Sequence, residues 1–104
     1  MSKQVSIPIP PYIGTDQILA VSANGVPIAL TRLDGAWHAF DDFCPHAGCS
    51  FSGSGIIEDG VLICNCHGAE FDLQTGKPLR GIAFEPIAIF PVEAGEKQLE
   101  ITLP

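Results

Sequence analysis

Two short segments of this chain place a cysteine and a histidine close together. The first contains Cys44 and His46 in the spacing Cys-x-His, and the second contains Cys64 and His67 in the spacing Cys-x-x-His. Seventeen residues separate His46 from Cys64. Each segment therefore offers one thiolate, a soft ligand, and one imidazole, a ligand of intermediate softness. Together these four side chains suit a metal centre whose two ends differ electronically.

Two other kinds of cysteine site are possible. Zinc also accepts two cysteines and two histidines, but classical fingers keep the cysteines in one pair and the histidines in another. Here each pair mixes the two residue types. The remaining cysteines, Cys49 and Cys66, would be the reactive pair of a thiol–disulfide protein. That class normally has Cys-x-x-Cys at a helix start, where the thiolate is stabilised, and this chain lacks the motif.

Short apolar segments separated by turn residues predict that the chain is all-β. Asn24-Gly25 and Asp59-Gly60 are strong hairpin signals. No stretch has sustained helical periodicity, so any helix is expected to be short. Many short strands with frequent Gly and Pro favour one antiparallel sandwich or small barrel over residues 1–104. The predicted strands are residues 5–9, 17–23, 27–33, 36–41, 56–57, 61–63, 87–92 and 98–102.

The two Cys–His pairs both fall at the ends of predicted strands. The first pair follows the strand at 36–41, and the second follows the strand at 61–63. Loops that a rigid sheet holds in place are common positions for functional groups. The placement therefore supports a site built from two loops at one end of the fold.

The charge balance restricts the kind of partner. The 104 residues contain five Lys and Arg against twelve Asp and Glu, a formal net charge of −7. This balance argues against binding a nucleic-acid backbone and favours a basic protein partner. The opening residues do not resemble a signal peptide, and no apolar run approaches the roughly 20 residues that cross a bilayer. We therefore predict a soluble, cytoplasmic protein without a membrane partner.

Some conspicuous side chains have simpler interpretations. His38 is expected at the surface or at a sheet edge, and Asp41 and Asp42 in a solvated turn. Phe51 is expected either in the core or over the metal centre. Four aromatic residues are predicted to be core residues because of their strand context: Trp37, Phe40, Phe43 and Phe84.

The motifs resemble the two cluster loops of Rieske iron–sulfur proteins. Residues 44–49 read Cys-Pro-His-Ala-Gly-Cys, and residues 64–68 read Cys-Asn-Cys-His-Gly. The pattern Asp-x-x-Thr-Gly at 72–76 also lies where that family has it. The resemblance covers nearly the whole chain. It implies a small all-β Rieske domain with cluster-binding loops at about 44–51 and 64–71, at one tip of the molecule.

The resemblance also implies the cofactor and its ligands. One [2Fe–2S] cluster would be held by Cys44 and Cys64 on the inner iron, and by His46 and His67 on the outer iron. Neutral imidazoles make the oxidised site less negative than four thiolates would, so an electron enters more easily. The potentials of such clusters accordingly run from about −150 to +300 mV, against roughly −400 mV for all-cysteine plant-type clusters.

Two positions predict where in that range this protein lies. High-potential members of the family have a serine after the Cys-His-Gly of the second loop and a tyrosine two residues later, and both hydroxyls raise the potential. This chain has Ala69 and Phe71 there. Neither side chain donates a hydrogen bond. We predict a potential in the lower half of the range, roughly −150 to +50 mV.

The second pair of cysteines indicates a different branch of the family. In respiratory members, cysteines at the positions of Cys49 and Cys66 form a disulfide between the two loops, whereas many ferredoxins of oxygenase systems lack it. The resemblance thus implies a Cys49–Cys66 disulfide. The alternative is two free thiols, which the reducing cytoplasm favours.

A small Rieske protein of this kind implies an electron carrier and not an enzyme. By resemblance, it takes one electron from a flavin-dependent reductase and passes it to a terminal oxygenase. The alternative is an electron-transfer subunit of a respiratory or oxyanion-oxidising complex, which Cys49 and Cys66 would suit. Some related small subunits have lost the cluster, but all four ligand positions are filled here.

Overall fold

The computed structural model describes residues 3–10, 17–33, 35–43, 49–64, 68–80 and 86–103. In these residues the protein consists of eleven β-strands and one four-residue helix, so the all-β prediction is confirmed. The elements in chain order are β1 (Lys3–Pro8), β2 (Leu19–Ala23), β3 (Val26–Leu33), β4 (Ala36–Asp41), α1 (Phe51–Ser54), β5 (Gly55–Glu58), β6 (Val61–Cys64), β7 (Ala69–Asp72), β8 (Pro78–Arg80), β9 (Ile89–Phe90), β10 (Val92–Ala94) and β11 (Gln98–Leu103).

The described strands form three antiparallel sheets. Their orders are β1–β11–β10, β2–β3–β4–β9 and β5–β6–β7–β8. The first sheet joins the two ends of the described chain, with Lys3 opposite Leu103 and Pro8 opposite Gln98. The third sheet contains the second predicted ligand segment, which lies between β6 and β7.

Two predicted hairpins have the turn geometry that their sequences demand. Asn24 and Gly25, between β2 and β3, have φ angles of 53° and 77°. Asp59 and Gly60, between β5 and β6, have φ angles of 52° and 76°. Positive φ at both central residues is the requirement of a type I′ turn, and Asn-Gly and Asp-Gly tolerate it best. These turns set the registers Ala23 opposite Val26 and Glu58 opposite Val61.

The sheet of β2, β3, β4 and β9, here called the middle sheet, lies between two apolar cores. Its centre is therefore buried on both faces. Ala29 and Phe40 belong to a first core beneath the β5–β8 sheet. Ile28 and Leu30 belong to a second core, beneath the sheet of β1, β11 and β10. A strand covered on both sides has a continuous apolar run instead of strict alternation. The sequence of β3 has such a run, with four consecutive buried residues.

The strands β7 and β8 and the position of the helix were not predicted from the sequence. The strand predicted at 87–92 is instead two short strands, β9 and β10, in different sheets. The strand β7 contains only four residues, alternating the buried Ala69 and Phe71 with the half-buried Glu70 and Asp72. The strand β8 contains three residues. Their sequences are too short for periodicity to be recognised. They are strands because β7 pairs with β6 and β8 pairs with β7. The helix α1 has four residues, in agreement with the prediction that any helix is short.

The aromatic residues divide between core and surface. Phe40 and Phe51 are completely buried, and Trp37 is half-buried against the second core. The prediction for Phe43 was wrong: its side chain is 48% exposed. Phe43 lies just beyond the end of β4, where the chain leaves the sheet. Phe84 lies outside the described residues. No helix in the described part of the chain is long and apolar enough to cross a membrane.

Candidate metal centre

Cys64 is a buried thiol at the last position of β6. Its side chain is 1% exposed, and the cysteine is free. In the sheet it lies between Gly55 of β5 and Ala69 of β7, its two register partners. Side chains at paired positions point to the same face, so Cys64 and Ala69 both belong to the first core.

Gly68, the residue before β7, is hydrogen-bonded back to the end of β6. The Gly68 N–H donates a hydrogen bond to the Cys64 carbonyl at 2.8 Å. Gly68 has a φ of +77°, a conformation that glycine adopts without steric cost. This hydrogen bond joins the end of β6 to the residue before β7. The second loop was predicted at about 64–71, but residues 69–71 belong to β7.

The first predicted loop is also closed at its base. Phe43 and Ser50 form an antiparallel bridge, and the Phe51 N–H donates to the Asp42 carbonyl at 2.7 Å. The prediction of a solvated Asp42 was wrong, since its side chain is only 6% exposed. Asp41 is half-buried and accepts a hydrogen bond from the Phe43 N–H at 3.1 Å.

The helix α1 connects the bases of the two loops. It begins directly after Ser50, whose side-chain oxygen accepts a hydrogen bond from the Gly53 N–H at 3.2 Å. It ends at Ser54, and the next residue, Gly55, lies opposite Cys64 in the sheet. The half-buried Cys49 packs against the same core that contains Cys64. The structure thus places the base of the first loop beside the strand that carries Cys64, as two loops sharing one metal centre require.

The remaining predicted site residues lie outside the described part of the chain. These residues are Cys44, His46, Cys66 and His67. The coordination set and the Cys49–Cys66 disulfide therefore stay predictions. In the described residues alone, no group of three or more His, Cys, Asp or Glu side chains is placed to hold a metal ion.

Two of the described residues near Cys64 carry no side-chain donor for a cluster sulfur atom. Ala69 and Phe71 are completely buried in the same core. Neither side chain has a donor for a sulfur atom. A free, buried thiol in a dry apolar setting at the mouth of two loops is a suitable inner ligand. Together with the donor set of the sequence, the described residues fit the predicted cofactor.

His38 lies away from both loop bases. It is half-buried in β4 and lines a cleft of about 260 Å³ that Asp59 and Asp72 also line. The predicted surface or edge position is therefore only partly correct. Burial disfavours the charged imidazolium and lowers the pKa of His38 from its ordinary value of 6.5. Nothing in its position links it to the metal centre.

The contact between Ser52 and Asp42 at the base of the first loop was not predicted from the sequence. The Asp42 carboxylate accepts hydrogen bonds from the Ser52 N–H at 2.8 Å and from the Ser52 hydroxyl at 2.6 Å. The two residues are ten positions apart, too far for a local capping pattern to indicate the contact. The available signal was the Ser50-Phe51-Ser52 segment, because serine favours helix starts.

The chain belongs to the Rieske [2Fe-2S] domain family, whose model matches residues 10–91. It therefore holds one Rieske-type [2Fe–2S] cluster and acts as an electron carrier rather than as a catalyst. This assignment decides between the cluster and the zinc alternative in favour of the cluster.

Its similar relatives are ferredoxins of oxygenase systems. The chain is 31% identical to the anthranilate 1,2-dioxygenase ferredoxin subunit of Burkholderia cepacia, over 85% of this chain and 81% of that protein. It is 39% identical to the 3-phenylpropionate/cinnamic acid dioxygenase ferredoxin subunit of Photorhabdus laumondii, over 73% of this chain and 72% of that protein.

Solved structures of Rieske ferredoxins share the fold. The chain matches the Sphingomonas yanoikuyae B1 ferredoxin with a TM-score of 0.79 at 24% identity, over 88% of this chain and 89% of that one. It matches a chain from a complex of reduced oxygenase and oxidised ferredoxin in carbazole 1,9a-dioxygenase with a TM-score of 0.82 at 24% identity. That match covers 93% of this chain and 99% of the other.

Proposed function

We propose that this protein carries single electrons from a flavin-dependent reductase to a terminal oxygenase. The observation that carries the proposal is the match to ferredoxin subunits of dioxygenases over most of both chains. A chain from a complex of reduced oxygenase and oxidised ferredoxin shares the fold. We further propose that residues 1–104 form one Rieske domain, since β1 and β11 pair the two ends of the described chain.

The proposed ligands are Cys44 and Cys64 on one iron, and His46 and His67 on the other. When bound, the cluster accepts and releases one electron. The chain contributes a buried sulfur ligand at Cys64, and the core around it excludes water. This setting lacks hydroxyl donors at Ala69 and Phe71, which supports a potential in the lower half of the family range.

Single substitutions test the ligand set. Cys64→Ser or His67→Ala should remove the electron paramagnetic resonance signal of a histidine-ligated cluster from the reduced protein. His38→Ala is the matched control, because it removes the chain's third histidine. An unchanged signal in His46→Ala or His67→Ala would refute the proposed histidine ligands.

A redox titration separates the two electron-transfer roles. A midpoint below about 0 mV favours the oxygenase ferredoxin, and one above about +100 mV favours a subunit of a respiratory or oxyanion-oxidising complex. We expect the lower value. A high midpoint would contradict the proposed partner while leaving the cluster assignment intact.

The partners can be tested with components of a related system. The reductase and oxygenase of 3-phenylpropionate/cinnamic acid dioxygenase from Escherichia coli serve as probes, since the ferredoxin of that system is 35% identical to this chain. Substrate-dependent oxygen uptake should require this protein. Its net charge of −7 should make reduction by a basic reductase surface slower at higher ionic strength. No reduction at any ionic strength would argue against the reductase as donor.

We also propose the Cys49–Cys66 disulfide between the two loops. It is supported by the packing of Cys49 against the core that contains Cys64. Alkylation of the unfolded protein before and after reduction, followed by mass spectrometry, counts the thiols involved. If Cys49 and Cys66 are both alkylated without prior reduction, the disulfide is absent.

We propose a cytoplasmic location, in keeping with the match to ferredoxin subunits of dioxygenases. Fractionation of the source cells, with antibody detection of this chain, tests the location. Recovery in the periplasmic or membrane fraction would contradict it.

A further inference from the structure

Asp42 is a buried carboxylate beside the first ligand loop. It and Thr31 are the two buried polar or charged side chains among the described residues. Burial of a carboxylate is unfavourable unless hydrogen bonds replace those of water. Here one residue supplies both: the Ser52 N–H donates to one carboxylate oxygen and the Ser52 hydroxyl to the other, at 2.8 and 2.6 Å.

The backbone reinforces this contact. The Asp42 carbonyl accepts a hydrogen bond from the Phe51 N–H at 2.7 Å, so three hydrogen bonds join Asp42 to residues 51–52. A single backbone hydrogen bond leaves two chain segments free to pivot about it. Here Asp42 is hydrogen-bonded to two adjacent residues, Phe51 and Ser52, and both of its carboxylate oxygens accept from Ser52. Together these bonds oppose rotation of one segment against the other.

The other side of this contact is attached to the strand that carries Cys64. Phe51 packs edge-to-face against Phe40 and Phe71, with ring centroids 5.7 and 5.9 Å apart. The helix that begins at Phe51 is followed directly by Gly55, the register partner of Cys64. Asp42 itself lies two positions before Cys44. The Asp42 carboxylate therefore connects the residues just before the first ligand segment to the helix that leads to the strand opposite Cys64.

We propose that Asp42 is a positioning residue for the metal centre. Its carboxylate, through Ser52, fixes where the first Cys–His segment leaves the sheet relative to Cys64. The proposal rests on the ligand set given above. Metal–ligand distances tolerate changes of only about 0.2 Å. If the loop base could pivot, the positions of the first-loop ligands would vary beyond this tolerance, and the cluster would be held less tightly.

Three variants and one control test the proposal. Asp42→Ala removes both side-chain hydrogen bonds, and Ser52→Ala removes one. Asp42→Asn keeps an oxygen that can accept from the Ser52 N–H. Glu93→Ala is the control, since it deletes an exposed carboxylate from β10 in a different sheet. The measurements on the cluster-loaded proteins are the rate of cluster release, from the loss of visible absorbance, and the line shape of the electron paramagnetic resonance signal.

We expect Asp42→Ala to release the cluster about 10- to 100-fold faster than the wild type, the usual effect of removing a residue that orients metal ligands. Its resonance signal should broaden, because the ligand geometry becomes heterogeneous. Asp42→Asn should restore most of the retention and the narrow signal, and Ser52→Ala should lie between.

Two results would overturn the proposal. In the first, Asp42→Ala and Glu93→Ala behave alike. In the second, Asp42→Asn is as impaired as Asp42→Ala, which would mean that charge and not hydrogen bonding is responsible. If Asp42→Ala does not fold, Ser52→Ala is the test. Faster cluster release than in the wild type would support the proposal, and unchanged release would refute it. A wild-type protein that binds no iron would instead refute the ligand set itself.

Discussion

At the scale of single residues, the metal centre depends on which atoms surround the ligands. Cys64 is a free, buried thiol whose neighbour across the sheet, Ala69, is equally buried. Neither Ala69 nor Phe71 has a side-chain donor, so among the described residues these two positions are where a hydrogen bond to a sulfur atom could be introduced. Substitutions at Ala69 and Phe71 can therefore change the hydrogen bonding near Cys64 without replacing a proposed ligand.

Ala69→Ser should raise the reduction potential. The two residues are directly opposite in the sheet, where Cβ atoms lie about 4.5–5.5 Å apart, so a serine hydroxyl can donate a hydrogen bond to the Cys64 sulfur. A bond that favours the reduced, more negative site by about 1 kcal/mol corresponds to roughly 40 mV for one electron.

Protein-film voltammetry measures the change. Ala39→Ser is the control, because Ala39 is also buried but belongs to the second core. A potential that moves equally in the two variants would show that the effect is not a hydrogen bond at Cys64.

His38 should make the stability of the protein depend on mildly acidic pH. Burial lowers its pKa in the folded state below the ordinary value of 6.5, so the unfolded chain binds more protons in this range. The contribution of His38 is thus present above pH 6.5 and is lost as the pH falls through its folded-state pKa. Denaturant titrations from pH 7.5 downwards should show a shallower pH dependence for His38→Gln than for the wild type. Parallel curves would contradict this assignment.

At the scale of secondary-structure elements, the four-residue helix α1 contributes more than its length suggests. It brings Phe51 between Phe40 of the middle sheet and Phe71 of the third sheet. It also provides the donors that hold the base of the first ligand loop. One turn of helix thereby joins two sheets and two loops.

Phe51→Ala should destabilise the protein strongly. The side chain is completely buried, and Phe→Ala in a core typically costs about 3–5 kcal/mol in the free energy of unfolding. Chemical denaturation of both proteins measures the loss. Phe43→Ala is the control with the same chemical change, and because Phe43 is 48% exposed its effect should be below about 1 kcal/mol. Equal losses would contradict the core assignment of Phe51.

At the scale of the whole molecule, the middle sheet has the central position. Its strands β3 and β4 contribute side chains to both cores. The strand β9, which follows the third sheet in the chain, pairs with β4 at the edge of the middle sheet. A close contact connects the segment before β9 to the third sheet: the Ile87 N–H donates to the Gly76 carbonyl at 2.9 Å. Gly76 itself has a φ of +80°.

Gly76→Ala should weaken this connection. A Cβ atom at position 76 would overlap the carbonyl oxygen of Ile87, in addition to the cost of a positive φ. Gly35→Ala is the matched control, because Gly35 has the same φ of +80° with no atom within 4 Å of the added Cβ. Both variants bear the backbone cost of about 1–2 kcal/mol, and Gly76→Ala should lose about 1–3 kcal/mol more.

The difference between the two unfolding free energies isolates the contact. If Gly35→Ala is as destabilising as Gly76→Ala, the approach of Ile87 is not important for stability. A single cooperative transition in both variants would also support one domain over residues 1–104.

Local features of the sequence were sufficient to predict the chemistry and the fold class. The types and spacing of two Cys–His pairs indicated the cluster, and Asn24-Gly25 and Asp59-Gly60 predicted hairpins that the structure confirms. These features were accessible because ligand identity and turn geometry depend on a few consecutive residues. The burial of Asp42 and the exposure of Phe43 were decided by the tertiary structure alone. Each depends on what a distant segment places against the residue, and no local pattern contains that information.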